Sequence, residues 1–399
     1  MKSEFERKVL KNGMTIIFEK RDVPVVSVAF AVRYGGINED VSEKGIAHFI
    51  EHMFYKGTPK RNWKQIAEEI EKKGGDLSGF TSSITTAYWC KMPSKHLNVA
   101  LDVLSDMVKN PLFDEKEVEK ERKVIFEEIK MIKDNPIKYV FHEIQNHLYA
   151  EPLGLILIGT YETMNSLTRN KLVKRFEQVY QPNNMVLCVV GNADFNKIIE
   201  FAKKNFSDKK GEISKFKIKK KNKIKLEKRK GIDQANLIFA YHVPLSNNKK
   251  NYAAQVLSTL MAGGMSSRLF DEIRSKRNLA YAVKGNTNIN KDFAYNLIYV
   301  GTTKENVDKV KKIILDEFKK VSESFDEKEL EQVKKQMVGN YQISMEDSQN
   351  QMVNLLLHEI DGDAKEFYDF EKNIRAVKLE DVKNLAKIKK YSFFALIPE

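Results

Sequence analysis

The amino-acid sequence predicts an α+β fold of two homologous halves, each an antiparallel-type sheet covered by helices on one side. Three observations carry that prediction. FDEKEVE at Phe113 to Glu119 returns as FDEKELE at Phe325 to Glu331, an offset of 212 residues. Around each copy the elements come in the same order: a β-rich run (VVSVAFAVR from Val25, NLIFAYHVP from Asn236), a helical segment, a second strand and a long amphipathic helix. Each half then closes on a strand, MVLCVVGNAD in the first and SFFALIPE in the second. With 399 residues the chain is long for one core and sufficient for two. The expected organisation is an N-terminal domain over 1–208, a basic linker and edge region over 209–230, and a C-terminal domain over 231–399.

The composition, 42% hydrophobic and 31% charged, is that of a soluble globular protein. No run approaches the roughly 18 apolar residues of a membrane span. The opening MKSEFERKVLKNGMTIIFEK has neither an apolar stretch with a small-residue cleavage site nor the acid-poor character of a transit peptide, so a cytoplasmic location is expected. Cys90 and Cys188 lie in apolar strand-like runs and read as buried reduced thiols. The net charge of +13 is concentrated: twelve Lys or Arg stand against Glu212 and Glu227 between Lys209 and Lys230, which leaves only +3 for the rest of the chain. Lysines interleaved with Phe216, Ile218, Ile224 and Leu226 suit a solvated linker and edge strand. Nucleic-acid binding is not expected of it, because Phe216 alone offers a stacking platform.

The segment GIAHFIEHMFYKGTP has helical spacing, with Ser42 as the expected N-cap and Gly57 and Pro59 as stop signals. His48 and His52 are four apart, so both imidazoles share one helix face, as two nitrogen ligands of a tetrahedral Zn2+ require. Glu51 points to the same place and is suited to act as the base that activates a water. His-x-x-Glu-His is the reverse of the commoner His-Glu-x-x-His order. On this motif alone, two histidines satisfied in a helix face remain an alternative. The duplication supplies a control, because residues needed only by the shared fold should recur. The corresponding helix, NYAAQVLSTLMAGGM, contains no His, Glu or Asp.

Two imidazoles leave zinc in need of a third protein ligand. Taking Glu121 as zero at 100° per residue, Val118, Ile125 and Ile129 fall at about 40° to 80°, Val124 at about 300°, Glu128 at about 340° and Glu127 at about 240°. Glu121 and Glu128 thus sit in the apolar stripe and Glu127 outside it. Two unpaired carboxylates there would cost several kcal/mol each without a cation or donors. Glu128 is assigned as the third ligand, and Glu121 as an outer-sphere carboxylate that orients a ligand or the water. Salt bridges from these acids to Lys or Arg are the alternative. At the repeat offset the two positions become Asn340 and Val333.

With these residues, the chain resembles the pitrilysin and insulysin family of inverted zincins, in particular the half-length branch that includes mitochondrial processing peptidase. The resemblance extends over GFTSSITTAYW from Gly79, PLGLILIGT from Pro152, YQPNNMVLCVVGNAD from Tyr180 and SSRLFDEIRSKRNLAYAV from Ser266. It implies a zinc metalloendopeptidase with one Zn2+ per chain, held by His48, His52 and Glu128. It implies further that Arg274 and Tyr281 contact a peptide substrate near the zinc, and that each chain forms a half-chamber that a second copy closes as a homodimer. Read without the family, Arg274 is a surface helix residue and Tyr281 a core ring. The strand beside the zinc commonly carries Asn-Ala in this family, where this chain has Ser78 and Gly79. Some members are non-catalytic assembly subunits, which is the alternative function.

Overall fold

A computed structural model describes residues 4–399. Among them the strands form two sheets. Sheet 1 contains β1 (Glu4–Val9), β2 (Thr15–Lys20), β3 (Val25–Val32), β4 (Asp76–Thr81), β5 (Thr86–Pro93) and β6 (Met185–Gly191), in the order β1-β2-β6-β3-β5-β4. Sheet 2 contains β7 (Ile224–Arg229), β8 (Ala235–His242), β9 (Ala280–Ile289), β10 (Ala294–Thr302) and β11 (Ser392–Pro398), in the order β7-β11-β8-β10-β9. The two orders superimpose when β2 is matched to β7, β6 to β11 and β3 to β8. In both, the closing strand of the half runs antiparallel to the first long strand and parallel to the strand on its other side. Each sheet is therefore antiparallel apart from one parallel pair.

The repeated FDEKE segments do the same work twice. Phe113 and Phe325 are buried, and Asp114 and Asp326 accept hydrogen bonds from the first free amides of helices Glu115–Asp134 and Glu327–Ser344. Arg122 pairs with Glu119 and donates to the Leu167 carbonyl. At the repeat offset Lys334 pairs with Glu331 and donates to the Arg375 carbonyl.

Helices pack on both faces of the central strands. β3 is buried at every position from Val26 to Val32. On one face of sheet 1, Phe54 of the helix Ile46–Phe54 stacks on Tyr88, and Phe30 stacks on Phe206. On the other lies helix Ser348–Asp361. Its Ser348 Oγ is 3.0 Å from Ser27 Oγ, its Gln351 donates to Glu19, and its Glu359 holds Arg7 and Arg33 at 2.8 and 3.0 Å. Sheet 2 is covered likewise by helix Pro136–Leu148, whose Tyr139 and His147 pack on Phe394.

The compact units are consequently discontinuous in sequence and depart from the expected boundaries 1–208 and 231–399. One joins the chain up to Ile129 with Leu155–Lys217 and Ser344–Phe367; the other joins Lys130–Gly154, Ile218–Ile343 and Tyr368–Glu399. The reason is that each sheet buries a second face, and the helix that covers it comes from the other half of the sequence.

Candidate metal centre

The helix Ile46–Phe54 buries Ile46, Ala47, Phe49, Ile50, Met53 and Phe54. This stripe leaves His48, Glu51, His52 and Tyr55 on the opposite side. The cap lies three residues after the expected one. It is Gly45 at φ 95°, with no side-chain cap from Ser42. The buried Glu39 serves instead: it accepts from the Gly45 and Ala47 amides and pairs with Lys44 at 3.1 Å. A carboxylate at a helix N-terminus also suits the dipole. After the helix, Thr58 and Arg61 anchor on buried Asp106 at 2.6 and 2.9 Å.

His48 Nε2 lies 3.6 Å from Glu128 Oε2, and His52 Nε2 lies 3.7 Å from Glu128 Oε1. One donor atom from each of the three residues lies within 4.8 Å of the others. Ligands at zinc bond lengths of about 2.0–2.1 Å in a tetrahedron stand about 3.4 Å apart, so small adjustments would close the set around one ion. Burial, followed by the charge of His52, lowers His48 to a pKa of about 3, which keeps this imidazole neutral as a ligand must be.

His52 Nδ1 is 3.0 Å from Glu121 Oε2. A proton on Nδ1 donated to that carboxylate leaves the Nε2 lone pair facing Glu128. Lys56 Nζ sits 2.5 Å from Glu121 Oε1. Glu121 therefore contacts both an imidazole and a lysine, so the expected ion pair is present beside the hydrogen bond to His52. Burial raises the Glu121 carboxyl, but hydrogen bonds from His52 and Lys56 outweigh it and the net shift is downward. Along the same helix Glu127 is exposed as the wheel predicts, whereas Val124 is 43% exposed, against its expected place in the stripe.

Glu51 Oε2 accepts a hydrogen bond from Thr81 Oγ1 at 2.5 Å. Burial pushes the Glu51 carboxyl up and Glu128 adds to this, while Thr81 and His52 oppose it, for a net rise. A raised carboxylate pKa suits a general base working near neutral pH. GFTSSITTAYW forms a hairpin: β4 is the sheet edge and β5, with Tyr88, lies inside it. A Cβ at Gly79 would lie 2.5 Å from the Tyr55 hydroxyl and 3.3 Å from Glu51 Oε1. That hydroxyl is buried without a hydrogen-bond partner.

Sequence reasoning missed Glu39, Lys56, Tyr55 and Thr81. Tyr55 continues the 48, 51, 52 stripe and Lys56 is four beyond His52, so extending the helical period would have found both. Thr81 and Glu39 come from other elements and leave no local signal.

Arg274 and Tyr281 lie in the other compact unit, in and just after the π-helical turn Phe270–Ser275. Both are exposed, Tyr281 by 76%, so it is not a core ring. The Arg274 guanidinium lies 5.3 Å from the Tyr281 ring centre. Gly263 is the C-cap of helix Asn251–Ala262.

A His-x-x-Glu-His helix facing a glutamate from a second helix, in the first of two like α+β halves, defines an inverted-zincin type of metallopeptidase fold. Comparison with known proteins agrees. Residues 15–161 match the family described as Insulinase (Peptidase family M16), and residues 166–337 match the Peptidase M16 inactive domain. A Rickettsia felis protein named uncharacterized zinc protease is 34% identical over 87% of this chain and 85% of its own length. Bacillus subtilis YmxG, similarly named, is 32% identical over 96% and 95%. The chain belongs to peptidase family M16. Among solved structures, a Helicobacter pylori protease shares the fold with a TM-score of 0.92 at 22% identity, covering 99% of this chain and all of that one. An M16-like peptidase from Alicyclobacillus acidocaldarius follows at 0.88 and 20%, covering 100% and 99%.

Proposed function

We propose that the chain is a zinc-dependent endopeptidase that cleaves unfolded peptides inside a homodimeric chamber in the cytoplasm. The observation that carries the reading is the convergence of His48, His52 and Glu128, with Glu51 fixed beside them by Thr81. His48, His52 and Glu128 would hold the zinc, which when bound supplies a Lewis acid that acidifies water and polarises the scissile carbonyl. Glu51 takes the proton from the attacking water and returns it to the departing amine. Glu121 holds His52 in the tautomer and orientation a ligand needs.

Arg274 and Tyr281, whose roles rest on the family resemblance, supply donors to the oxyanion from the partner chain. An extended peptide adds to the open edge of β4, whose backbone groups favour unfolded over folded substrates. Free buried Cys90 and Cys188 support a reducing compartment. Among the described residues no helix is long and apolar enough to cross a membrane.

Metal analysis beside a quenched-peptide assay tests the reading. About one zinc per chain is expected, lost with activity in His52→Ala. Glu51→Gln should retain zinc and lose about 10²–10⁴-fold in kcat. A Glu51→Gln chain that cleaves normally removes the mechanism, and zinc bound without any wild-type cleavage favours the non-catalytic assembly subunit.

A further inference from the structure

The duplicated scaffold has a strand position that is filled in one copy and open in the other. In sheet 1, β2 runs parallel to β6, and its far edge is covered by antiparallel β1. In sheet 2 the matching strand is β7, which runs parallel to β11 and ends the sheet. The Lys223 carbonyl accepts from the Phe393 amide at 3.0 Å, and the Arg229 carbonyl accepts from the Glu399 amide at 3.3 Å. Odd-numbered residues of β7 thus turn their peptide groups to β11, and by alternation those of Ile224, Leu226 and Lys228 face outward.

The side chains along this edge say what would fit it. Ile224 and Leu226 are 55% and 49% exposed. Residues 218–230 carry eight Lys or Arg against Glu227 alone. Glu227 is already engaged by Lys225 and Arg229 at 2.9 and 3.3 Å, while exposed Lys219, Lys220 and Lys228 form no salt bridge among the described residues. Lysine often guards an edge strand against pairing. Here the lysines are interleaved with two large exposed apolar side chains, which a partner strand can bury. The outward groups stand at strand spacing, which another strand can satisfy, and no aromatic ring in residues 218–230 offers a base a stacking surface.

We infer that the open edge of β7 docks an acidic, extended polypeptide segment, which adds as an antiparallel sixth strand where β1 sits in sheet 1. Its acidic side chains meet the exposed lysines and its apolar ones meet Ile224 and Leu226. This docking needs no metal and stands apart from the proposed hydrolysis.

The test uses the full chain and a fluorescent, end-blocked peptide of about eight residues alternating Glu and Val. Anisotropy titration should show saturable binding that weakens with salt, with the peptide verified intact by mass spectrometry. The same peptide with Lys for Glu, and an oligouridine RNA, should each bind at least about tenfold more weakly. Hydrogen exchange should show new protection at the amides of Ile224, Leu226 and Lys228. Leu226→Pro removes one outward N–H and leaves the β11 ladder intact, and should weaken binding about tenfold. The charge-reversed pair Lys223→Glu and Lys228→Glu should do at least as much. Tighter binding of RNA than of the acidic peptide, no saturable peptide binding, or protection at residues other than the β7 amides would each overturn the inference.

Discussion

At Gly79 of β4 a methyl group would strike the side chains of the candidate site, because its missing Cβ is the space that the Tyr55 hydroxyl occupies beside Glu51. Gly79→Ala must therefore displace Tyr55, Glu51 or the strand. A shift of the base by a fraction of an ångström should lower kcat/KM by between about ten- and a hundredfold. In a Tyr55→Phe background the same alanine should cost much less, because the obstructing oxygen is gone. Equal losses in both backgrounds would place the damage elsewhere, for example at the Ala87 carbonyl, 2.9 Å from the added atom. Glu121 offers a second test, since it touches His52 rather than the metal. Glu121→Ala should weaken zinc binding about 10–100-fold in a competition titration with a chelator, yet leave a chain that reloads at high zinc. The meeting of these side chains was legible because His48, Glu51 and His52 lie within one helix turn, and because Glu121 and Glu128 break an apolar stripe. Thr81 and the Gly79 to Tyr55 contact were not, because each joins residues from two elements whose meeting no periodicity encodes.

The helix that carries His48 and His52 is only nine residues long, and what holds it lies at its ends. Glu39 and Lys44 fix the entry, and the exit is tied by Asp106, which accepts from Thr58, Arg61 and Asn110. Burial alone would raise the Asp106 carboxyl, but these hydrogen bonds and the Arg61 charge hold it below its ordinary value of 3.8. The sign for stability follows. A carboxyl whose folded pKa is depressed contributes fully above 3.8, and its contribution drains away as pH falls below that value toward the folded pKa. Asp106→Asn should cost about 2–3 kcal/mol in urea unfolding at neutral pH, since Arg61 keeps Glu69 and Asp102 as partners. Between pH 4 and about 2 the wild type should lose stability faster than the variant. Parallel curves would show that Asp106 does not titrate with folding.

At the scale of the whole molecule, the repeat made the two sheets legible, because β-rich runs and capping segments recur at a fixed offset. It hid how the sheets are closed. Period-2 alternation is absent in strands buried on both faces, so Val25–Val32 reads the same whether one or both sides are covered. The covering helices Ser348–Asp361 and Pro136–Leu148 also lie in the opposite half of the sequence from the sheets they serve. The consequence is testable at Glu359, a fully buried carboxylate that satisfies Arg7 of β1 and accepts from Arg33 just beyond β3. Glu359→Ala takes the carboxylate from both arginines, although Arg33 keeps the carbonyls of Glu359 and Ile360, and should cost about 2–3 kcal/mol. The same logic predicts that residues 1–208 expressed alone unfold without a cooperative transition and bind a hydrophobic dye. Adding residues 344–367 as a separate peptide should restore a sharp transition and quench the dye, but the same peptide carrying Glu359→Ala should not. A sharp transition from 1–208 by itself would mean that the inner face of sheet 1 closes without the distant helix, and the contiguous division of the chain would then be the physically correct one.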